Sequence, residues 1–414
     1  MEHHGEVAGF DTRAVHAGKQ ELRELGVHAM PLDLSTTYPV GDLAGAAEQL
    51  DAWAAGEQPG GSPIYARLHN PTVARFEDAM AQLEGAEAAV AFASGMGAIT
   101  ALLMALPADA RHVVAVRPLY GGTDHLLCCE LLGLDVTWAA PCDVADAIRA
   151  DTGLVLLETP QNPTSTLVDI AAVARAAGGV PVAVDNTFAT SVLQRPLEHG
   201  ATIVIHSATK FIGGHGDAMG GVIACDEATA RRLRTMRVGT GAVLHPMAAY
   251  LLHRGLATLP VRVRAMQETA SQLASRLALH PGVTRVHHAS LPGTDPDGLV
   301  GRQMSGPGSM VAFELARGFP AARALLGAVR LATHAVSLGS TDTLIQHPAS
   351  LTHRVVDAAT RASSGVNESL VRISVGLEDP ADLWRDLLVG LDAAANVEAA
   401  ADHHGVLPVV HAPR

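Results

Sequence analysis

The stretch Ile203-Val204-Ile205-His206-Ser207-Ala208-Thr209-Lys210-Phe211-Ile212-Gly213-Gly214-His215 runs from a strand into a polar turn. Its first three residues are apolar and β-branched, the composition of a buried strand. Ser207 and Thr209, one position apart, can aim two oxygens at one anion. Lys210 follows where the strand gives out. Open α/β folds bind ligands at that edge of the sheet. An amine beside an anion site suits a carbonyl cofactor that carries a phosphate. Lys210 then becomes the Schiff-base partner and the hydroxyls become phosphate ligands. A surface lysine after a strand fits the same residues.

Upstream, 88–93 reads as a strand running into Ser94-Gly95-Met96-Gly97 and a helix over 98–106. Such a turn offers free backbone N–H groups and the positive end of the helix dipole to an anion. A tight turn with no ligand has the same appearance. Strands are expected over 111–116, 135–139, 154–158, 182–185, 203–206 and 220–224. Helices are expected between them over 119–132, 144–150 and 168–177. This alternation predicts an α/β fold, with a mostly parallel sheet and helices on both faces.

Three strand ends carry polar groups: Tyr120 before Gly121-Gly122, Glu158 before Asn162-Pro163, and Asp185 before Asn186-Thr187. A buried Asp185 needs a partner. A protonated ring nitrogen supplies one, and a turn to cap supplies another. Tyr65 and Arg67 share a side if their segment is extended. A phenol and a guanidinium together clamp a phosphate, although Arg67 equally fits a surface ion pair. Asn70-Pro71-Thr72 reads as a helix start.

Four units are expected. Residues 1–62 form an arm with one helix over 43–55, packed on a neighbouring subunit or strapped to its own surface. Residues 63–260 form the large unit, in which the basic helix 227–236 is solvated or faces a subunit. Residues 261–392 form a smaller α+β unit, entered by a helix over 261–279. It holds strands over 283–286, 309–315, 331–338 and 370–375 and helices over 321–329 and 380–391. Residues 393–414 read as a flexible tail. Within the strand 370–375, Arg372 stands among apolar residues and needs a buried anion. A substrate carboxylate gripped in a fork is one answer and an internal ion pair the other.

The chain has 414 residues, is 48% hydrophobic and 3% aromatic, and carries a net charge of −13. It lacks the cationic footprint that nucleic acid requires. Cys128, Cys129, Cys142 and Cys225 show no CxxC spacing, which suits a reducing cytoplasm. No signal peptide and no membrane span are expected. The pairs His3-His4 and His403-His404 read as solvated terminal residues, so no metal site is expected.

Taken together, the motifs resemble the Cys/Met-metabolism family of pyridoxal-phosphate enzymes. They are Tyr65-x-Arg67-x-x-Asn70-Pro71-Thr72, Ser94-Gly95-Met96, Tyr120-Gly121-Gly122-Thr123, Asn162-Pro163, Asp185-Asn186-Thr187, Ser207-x-Thr209-Lys210 and Val371-Arg372-x-Ser374-x-Gly376. The resemblance runs from Thr12 to about Leu391. It implies the fold-type-I architecture, with a seven-stranded sheet, and pyridoxal 5′-phosphate as cofactor. Lys210 would hold the cofactor and move protons between carbons. Asp185 would pair with the pyridine nitrogen, and Tyr120 would stack on the ring and join the proton transfers. Ser94, Gly95, Met96, Ser207 and Thr209 would hold the phosphate. Tyr65 and Arg67 would reach the phosphate of a neighbouring subunit, which implies a homodimer or homotetramer. Asn162 would contact the ring oxygen and the substrate. Arg372, with Ser337, would bind the substrate α-carboxylate.

The implied reaction is γ-elimination from a γ-substituted amino acid such as cystathionine, homocysteine or methionine. Replacement of the γ-substituent by a thiol is the alternative, and a non-catalytic relative a further one. Ala55-Gly56-Glu57-Gln58 and Thr343-Leu344-Ile345-Gln346-His347-Pro348-Ala349-Ser350 look closest to methionine γ-lyase. Gly122 in place of cysteine, Arg237-Val238 in place of Lys-Asp, and Asp342 in place of glutamate depart from it. These departures weigh against methionine itself.

Overall fold

The computed structural model describes residues 2–3, 6–58 and 60–397. The larger of its two main sheets has seven strands. They are β1 (Ala88–Phe92), β2 (His112–Val116), β3 (Asp135–Ala139), β4 (Thr152–Glu158), β5 (Val182–Asp185), β6 (Ile203–His206) and β7 (Gly221–Cys225). Their order is β1-β7-β6-β5-β4-β2-β3. The pairs from β3 to β6 are parallel, and β7 is antiparallel to both β6 and β1. Parallel strands need crossovers that bury both faces, so their sequences are continuously apolar. Val114, Val155 and Val184 pack under Ile170 and Val173 on one face. Val113, Leu156 and Ile205 pack under Ile99, Leu102 and Leu103 on the other.

Because six strands point the same way and β7 alone runs against them, their carboxyl ends line up. Glu158 ends β4, Asp185 ends β5, and Ser207 follows β6 directly. The register sets Glu158 beside Asp185. Sheet topology therefore gathers residues far apart in sequence along one edge.

A helix of 20 residues, Leu259–Ala278, leads to the second sheet. That sheet contains β8 (Val283–His287), β9 (Met310–Leu315), β10 (Thr333–His334), β11 (Leu344–Gln346) and β12 (Leu370–Ser374). The order is β8-β9-β12-β11-β10, antiparallel except for β10–β11. Its core joins Val311, Phe313 and Ile373 to Leu325 and Leu387 of the helices Gly318–Ala328 and Pro380–Ala395.

Several sequence expectations differ from what is found. The strand expected over 331–338 is only Thr333–His334. Ser337 and Gly339 take φ of +88° and +76°, which turns the chain out of extended geometry. The helix Pro246–Leu256 and strand β11 were not expected. The helix expected over 119–132 stops at Cys128, because Cys129 is extended. The segment expected to be an arm carries a second helix, Phe10–His16, whose Ala14 lies in the same core as Phe76 and Met80. The basic helix, Glu227–Thr240, is not simply solvated. Arg234 is buried and donates to Gly56 O at 3.1 Å, and Arg231 Nε donates to Ala55 O at 2.9 Å. Of the expected tail, residues up to Ala395 are helical. Residues 398–414, with His403-His404, lie outside the described residues, as does His4.

Strand β1 is an edge of the large sheet, with open N–H and C=O groups. At Ala91 both are taken by side chains. Glu77 Oε1 accepts from Ala91 N at 2.7 Å, and Arg237 Nη1 donates to Ala91 O at 3.1 Å. Arg237 also pairs with Glu77, and both side chains are buried. Arg237, one of the departures noted above, therefore faces the core and not a substrate. Glu77→Ala should strip a buried guanidinium of its counter-charge and destabilise the fold by about 3–5 kcal/mol. Chemical denaturation measures this, and an unchanged midpoint would contradict the clamp.

Candidate active site

A cavity of ≈ 280 Å³ opens beyond the carboxyl ends of β4, β5 and β6. It gathers Ser94, Gly95, Met96, Tyr120, Asn162, Asp185, Ser207, Thr209, Lys210, Ser337 and Arg372. Of the site residues that the resemblance implies, Tyr65 and Arg67 lie outside it. Their segment is a turn, with Leu68 N donating to Tyr65 O at 2.9 Å, and is not extended. The Arg67 guanidinium lies 5.5 Å from the Tyr65 ring centroid, and its Nη1 donates to Val238 O at 3.1 Å. A wider groove of ≈ 480 Å³, between Phe10 and His199, contains no lysine. There Arg195 and Arg302 are paired with Glu198 and Asp169.

The chain has two lysines, Lys19 and Lys210. Only Lys210 lines the cavity. Its Nζ donates to Ser337 Oγ at 2.8 Å. Burial, and secondarily the charge of Arg372, pull its pKa down to about 8. A desolvated amine is a nucleophile near neutral pH. Ser337 is held in left-handed geometry that a side chain rarely adopts. Its hydroxyl takes Lys210, and its carbonyl accepts from Arg372 Nη2 at 2.8 Å.

Asp185 Oδ1 accepts from Thr187 N at 3.0 Å and from Thr187 Oγ1 at 2.6 Å. Burial raises its pKa, and the Thr187 bonds oppose that rise. Its other oxygen has no protein donor among the described residues and is free for a ring N–H. Glu158 is fully buried beside it. Its oxygens accept from Tyr120 N at 2.7 Å and Asn162 N at 2.8 Å. Burial first, and then the charge of Asp185, raise the Glu158 pKa well above the ordinary carboxylate value. In the sequence Glu158 stands out only as a polar strand end and Thr187 only as a neighbour of Asp185, and neither is given a role. The signal for Glu158 was the one that marked Asp185, a carboxylate ending an apolar strand.

Arg372 comes from β12 and is 2% exposed. Nη1 donates to Asn162 Oδ1 at 2.8 Å, and Nη2 donates to Ser337 O. With the Gln346 amide turned oxygen-first, it accepts from Nε at 3.1 Å and Nη1 at 3.2 Å. All these partners are neutral, and among the described residues Arg372 joins no ion pair. Burial lowers its pKa to about 10, so it stays charged at neutral pH. The internal ion pair considered from sequence is thus not found.

At the other end of the cavity, Ser94 caps the helix Gly95–Met104, with Oγ accepting from Gly97 N at 3.0 Å. The N–H groups of Gly95 and Met96 remain for an anion. A Cβ on Gly95 would meet Ser207 Cβ at 2.9 Å, so the two segments touch. Thr209 lines the cavity, but its Oγ1 accepts from Gly220 N at 3.0 Å and donates to Gly220 O at 3.1 Å. The cavity can hold an aldehyde at Lys210, a ring nitrogen at Asp185 and a phosphate at the helix start. These are the three demands of pyridoxal phosphate.

In cofactor-free protein, Lys210 reacts with aldehydes only as the neutral amine. Its reductive alkylation by formaldehyde should therefore rise with pH through a midpoint near 8. Peptide mapping separates it from Lys19, and a midpoint near the ordinary lysine value of about 10.4 would contradict the burial argument.

The comparisons agree with this chemistry. Residues 11–392 match the family model described as Cys/Met metabolism PLP-dependent enzyme. An L-methionine gamma-lyase of Streptomyces avermitilis is 57% identical over 92% of this chain and 88% of its own length. One from Brevibacterium sandarakinum is 58% identical over 93% of this chain and 98% of its own. A solved cystathionine gamma synthase from Xanthomonas oryzae pv. oryzae, in complex with cystathionine, superposes with a TM-score of 0.86. It is 34% identical and covers 94% of this chain and 99% of that one. The two-sheet architecture is that of fold-type-I enzymes, the cofactor is pyridoxal phosphate, and the chain belongs to the Cys/Met-metabolism family of PLP-dependent enzymes.

Proposed function

We propose that the protein is a γ-lyase for methionine or a closely similar apolar thioether. One observation carries this reading. The four charged side chains lining the cavity are Glu158, Asp185, Lys210 and Arg372. Glu158 holds two backbone groups, and the other three match the cofactor and one α-carboxylate. Among the described residues the cavity wall has no further charged group for the second amino-acid end of cystathionine. The rest of the wall includes Phe188, Met219, Val336 and Leu338, with Met219 63% and Val336 52% exposed at the mouth. Such a wall favours a short thioether. The names of the two lyase relatives support the same substrate.

When bound, pyridoxal phosphate supplies a carbonyl for the amine and an electron sink for carbanions. In this reading Lys210 holds it and, once freed, moves protons at Cα and Cβ of the substrate. Asp185 keeps the ring nitrogen protonated. Tyr120, on the cavity wall, would stack on the ring and assist the proton transfers. Asn162, whose Oδ1 accepts from Arg372, would also contact the ring oxygen. Ser94, Gly95, Met96, Ser207 and Thr209 cradle the phosphate. Arg372 and Ser337 take the α-carboxylate, which replaces neutral acceptors by a charged one. Loss of methanethiol from Cγ of methionine, followed by hydrolysis, leaves 2-oxobutanoate and ammonia.

The same reading assigns residues 63–260 to cofactor binding and 261–392 to the smaller unit, with 1–62 contacting a second copy. Leu25, Leu34 and Leu43 of that segment are 51%, 56% and 83% exposed, which supports its docking on a neighbour. Tyr65 and Arg67 face outward, in keeping with reach to a neighbouring phosphate in a homodimer or homotetramer. Four free cysteines suit the cytoplasm.

Two outcomes are expected. Methionine alone should give 2-oxobutanoate and ammonia, with kcat/KM roughly ten- to a hundredfold above that for cystathionine, whose distal charges lack partners. A new amino acid formed with added thiol, and no keto acid from any substrate, would establish the replacement reaction instead. Arg372→Ala should leave the cofactor absorbance unchanged and lower kcat/KM by about two to four orders of magnitude. Arg372→Lys should recover only part, since a point charge cannot form the fork. Loss of cofactor with turnover per bound cofactor preserved would make Arg372 structural.

A further inference from the structure

We infer that Arg262 is a positioning residue for Lys210, acting through the backbone of the turn that carries the amine. The inference rests on Lys210 being the cofactor-holding lysine.

Residues 207–214 fold into consecutive tight turns. Lys210 N donates to Ser207 O at 3.1 Å, Gly213 N to Ala208 O at 2.9 Å, and Gly214 N to Lys210 O at 2.8 Å. This pattern leaves the carbonyls of Phe211 and Ile212 without donors inside the turn. Arg262 supplies them from the first turns of the helix Leu259–Ala278. Its Nη1 donates to Phe211 O at 2.7 Å and its Nη2 to Ile212 O at 3.4 Å. Nη2 also reaches Gly255 O at 2.7 Å, and Nε reaches Thr258 Oγ1 at 3.1 Å. All four acceptors are neutral, and the side chain is 4% exposed.

A buried cation without a counter-charge is a costly way to fill space between helix and loop. An apolar side chain would pack there without that cost. What an apolar side chain cannot do is bind the two carbonyls that follow Lys210. The neighbouring glycines fit this purpose. Gly214 has φ +73°, and a Cβ there would lie 2.1 Å from Arg262 Nη1. A Cβ on Gly255 would lie 2.2 Å from Ile212 O.

Gly339 closes on the same peptide. A Cβ there would lie 2.5 Å from Phe211 N and 3.0 Å from Lys210 C. The Lys210–Phe211 peptide is therefore confined by Gly339, while Arg262 holds the carbonyls beyond it. Two residues before Gly339, Ser337 holds the amine itself. Arg262 thus fixes the root of the Lys210 side chain and Ser337 fixes its tip. Proton transfer at Cα and Cβ requires the amine to be placed to within a fraction of an ångström. Arg262 touches neither substrate nor cofactor.

The test uses cofactor-loaded Arg262→Lys and Gly214→Ala. The first keeps the charge but loses the fork, and the second displaces the guanidinium while keeping Arg262. Each should lower kcat and kcat/KM together by about ten- to a hundredfold, because substrate capture at Arg372 is untouched. The pH midpoint of the bound cofactor's absorbance should shift. Amide hydrogen exchange across 207–214 should quicken in the cofactor-free proteins as well. If R262K does not fold, the Gly214 variant decides alone. A lower thermal midpoint with wild-type kcat, absorbance titration and exchange would make Arg262 a packing element and overturn the inference. Borohydride reduction of wild-type holoenzyme that labels any residue but Lys210 would instead overturn the reading beneath it, whatever the variants do.

Discussion

Two positive groups share one buried cavity, and a single serine touches both. Ser337 gives its hydroxyl to Lys210 and its carbonyl to Arg372. Among the described residues neither cation has a carboxylate in contact, so each is held at a cost in desolvation. The fold sustains this because the two residues come from different sheets. Lys210 follows β6 of the large sheet, and Arg372 lies in β12 of the small one. The strained backbone at Ser337 lies in the connection from β10 to β11 that brings them together. Ligand anions are the natural partners of both charges, which makes the cavity a site and not a packing defect.

The carboxylates complete the pattern. Glu158 and Asp185 are adjacent in register, and desolvation raises the pKa of both. Glu158 fixes the backbone of Tyr120 and Asn162, and Asn162 in turn fixes Arg372. Asp185 is tied on one oxygen by Thr187, whose hydroxyl also accepts from Ser207 N at 2.8 Å. Asp185 and the turn that begins at Ser207 are thereby coupled through one threonine. These bonds explain why residues drawn from six strand ends or turns can hold one geometry.

Strand ends made much of this legible in the sequence. Lys210 and Asp185 each break an apolar run, and Arg372 stands as a charge inside one. What the sequence hid has physical causes. Glu158 carried the same signal as Asp185 but reads as a turn former before two prolines. Arg262, in Leu259-Pro260-Val261-Arg262-Val263-Arg264, looks like one face of a solvated helix, and only its tertiary contacts show otherwise. Ser337 lies in a run that reads as strand, because alternation cannot reveal a positive φ. Tyr65 and Arg67 share a side through ring stacking in a turn, where an extended segment was expected. Arg237 reads in the sequence as a departure weighing against methionine, but its burial against Glu77 assigns it to the edge of the sheet.

The central claim is that the cavity removes a thiol from Cγ of methionine. Proton and deuterium NMR of the 2-oxobutanoate formed from methionine in deuterated water tests it most directly. Departure of the thiol from Cγ leaves that carbon to be completed by a solvent proton, so the product methyl group should carry solvent deuterium. That methyl does not exchange by simple enolisation of the keto acid. Product whose methyl group is free of deuterium, or no product at all, would contradict the account.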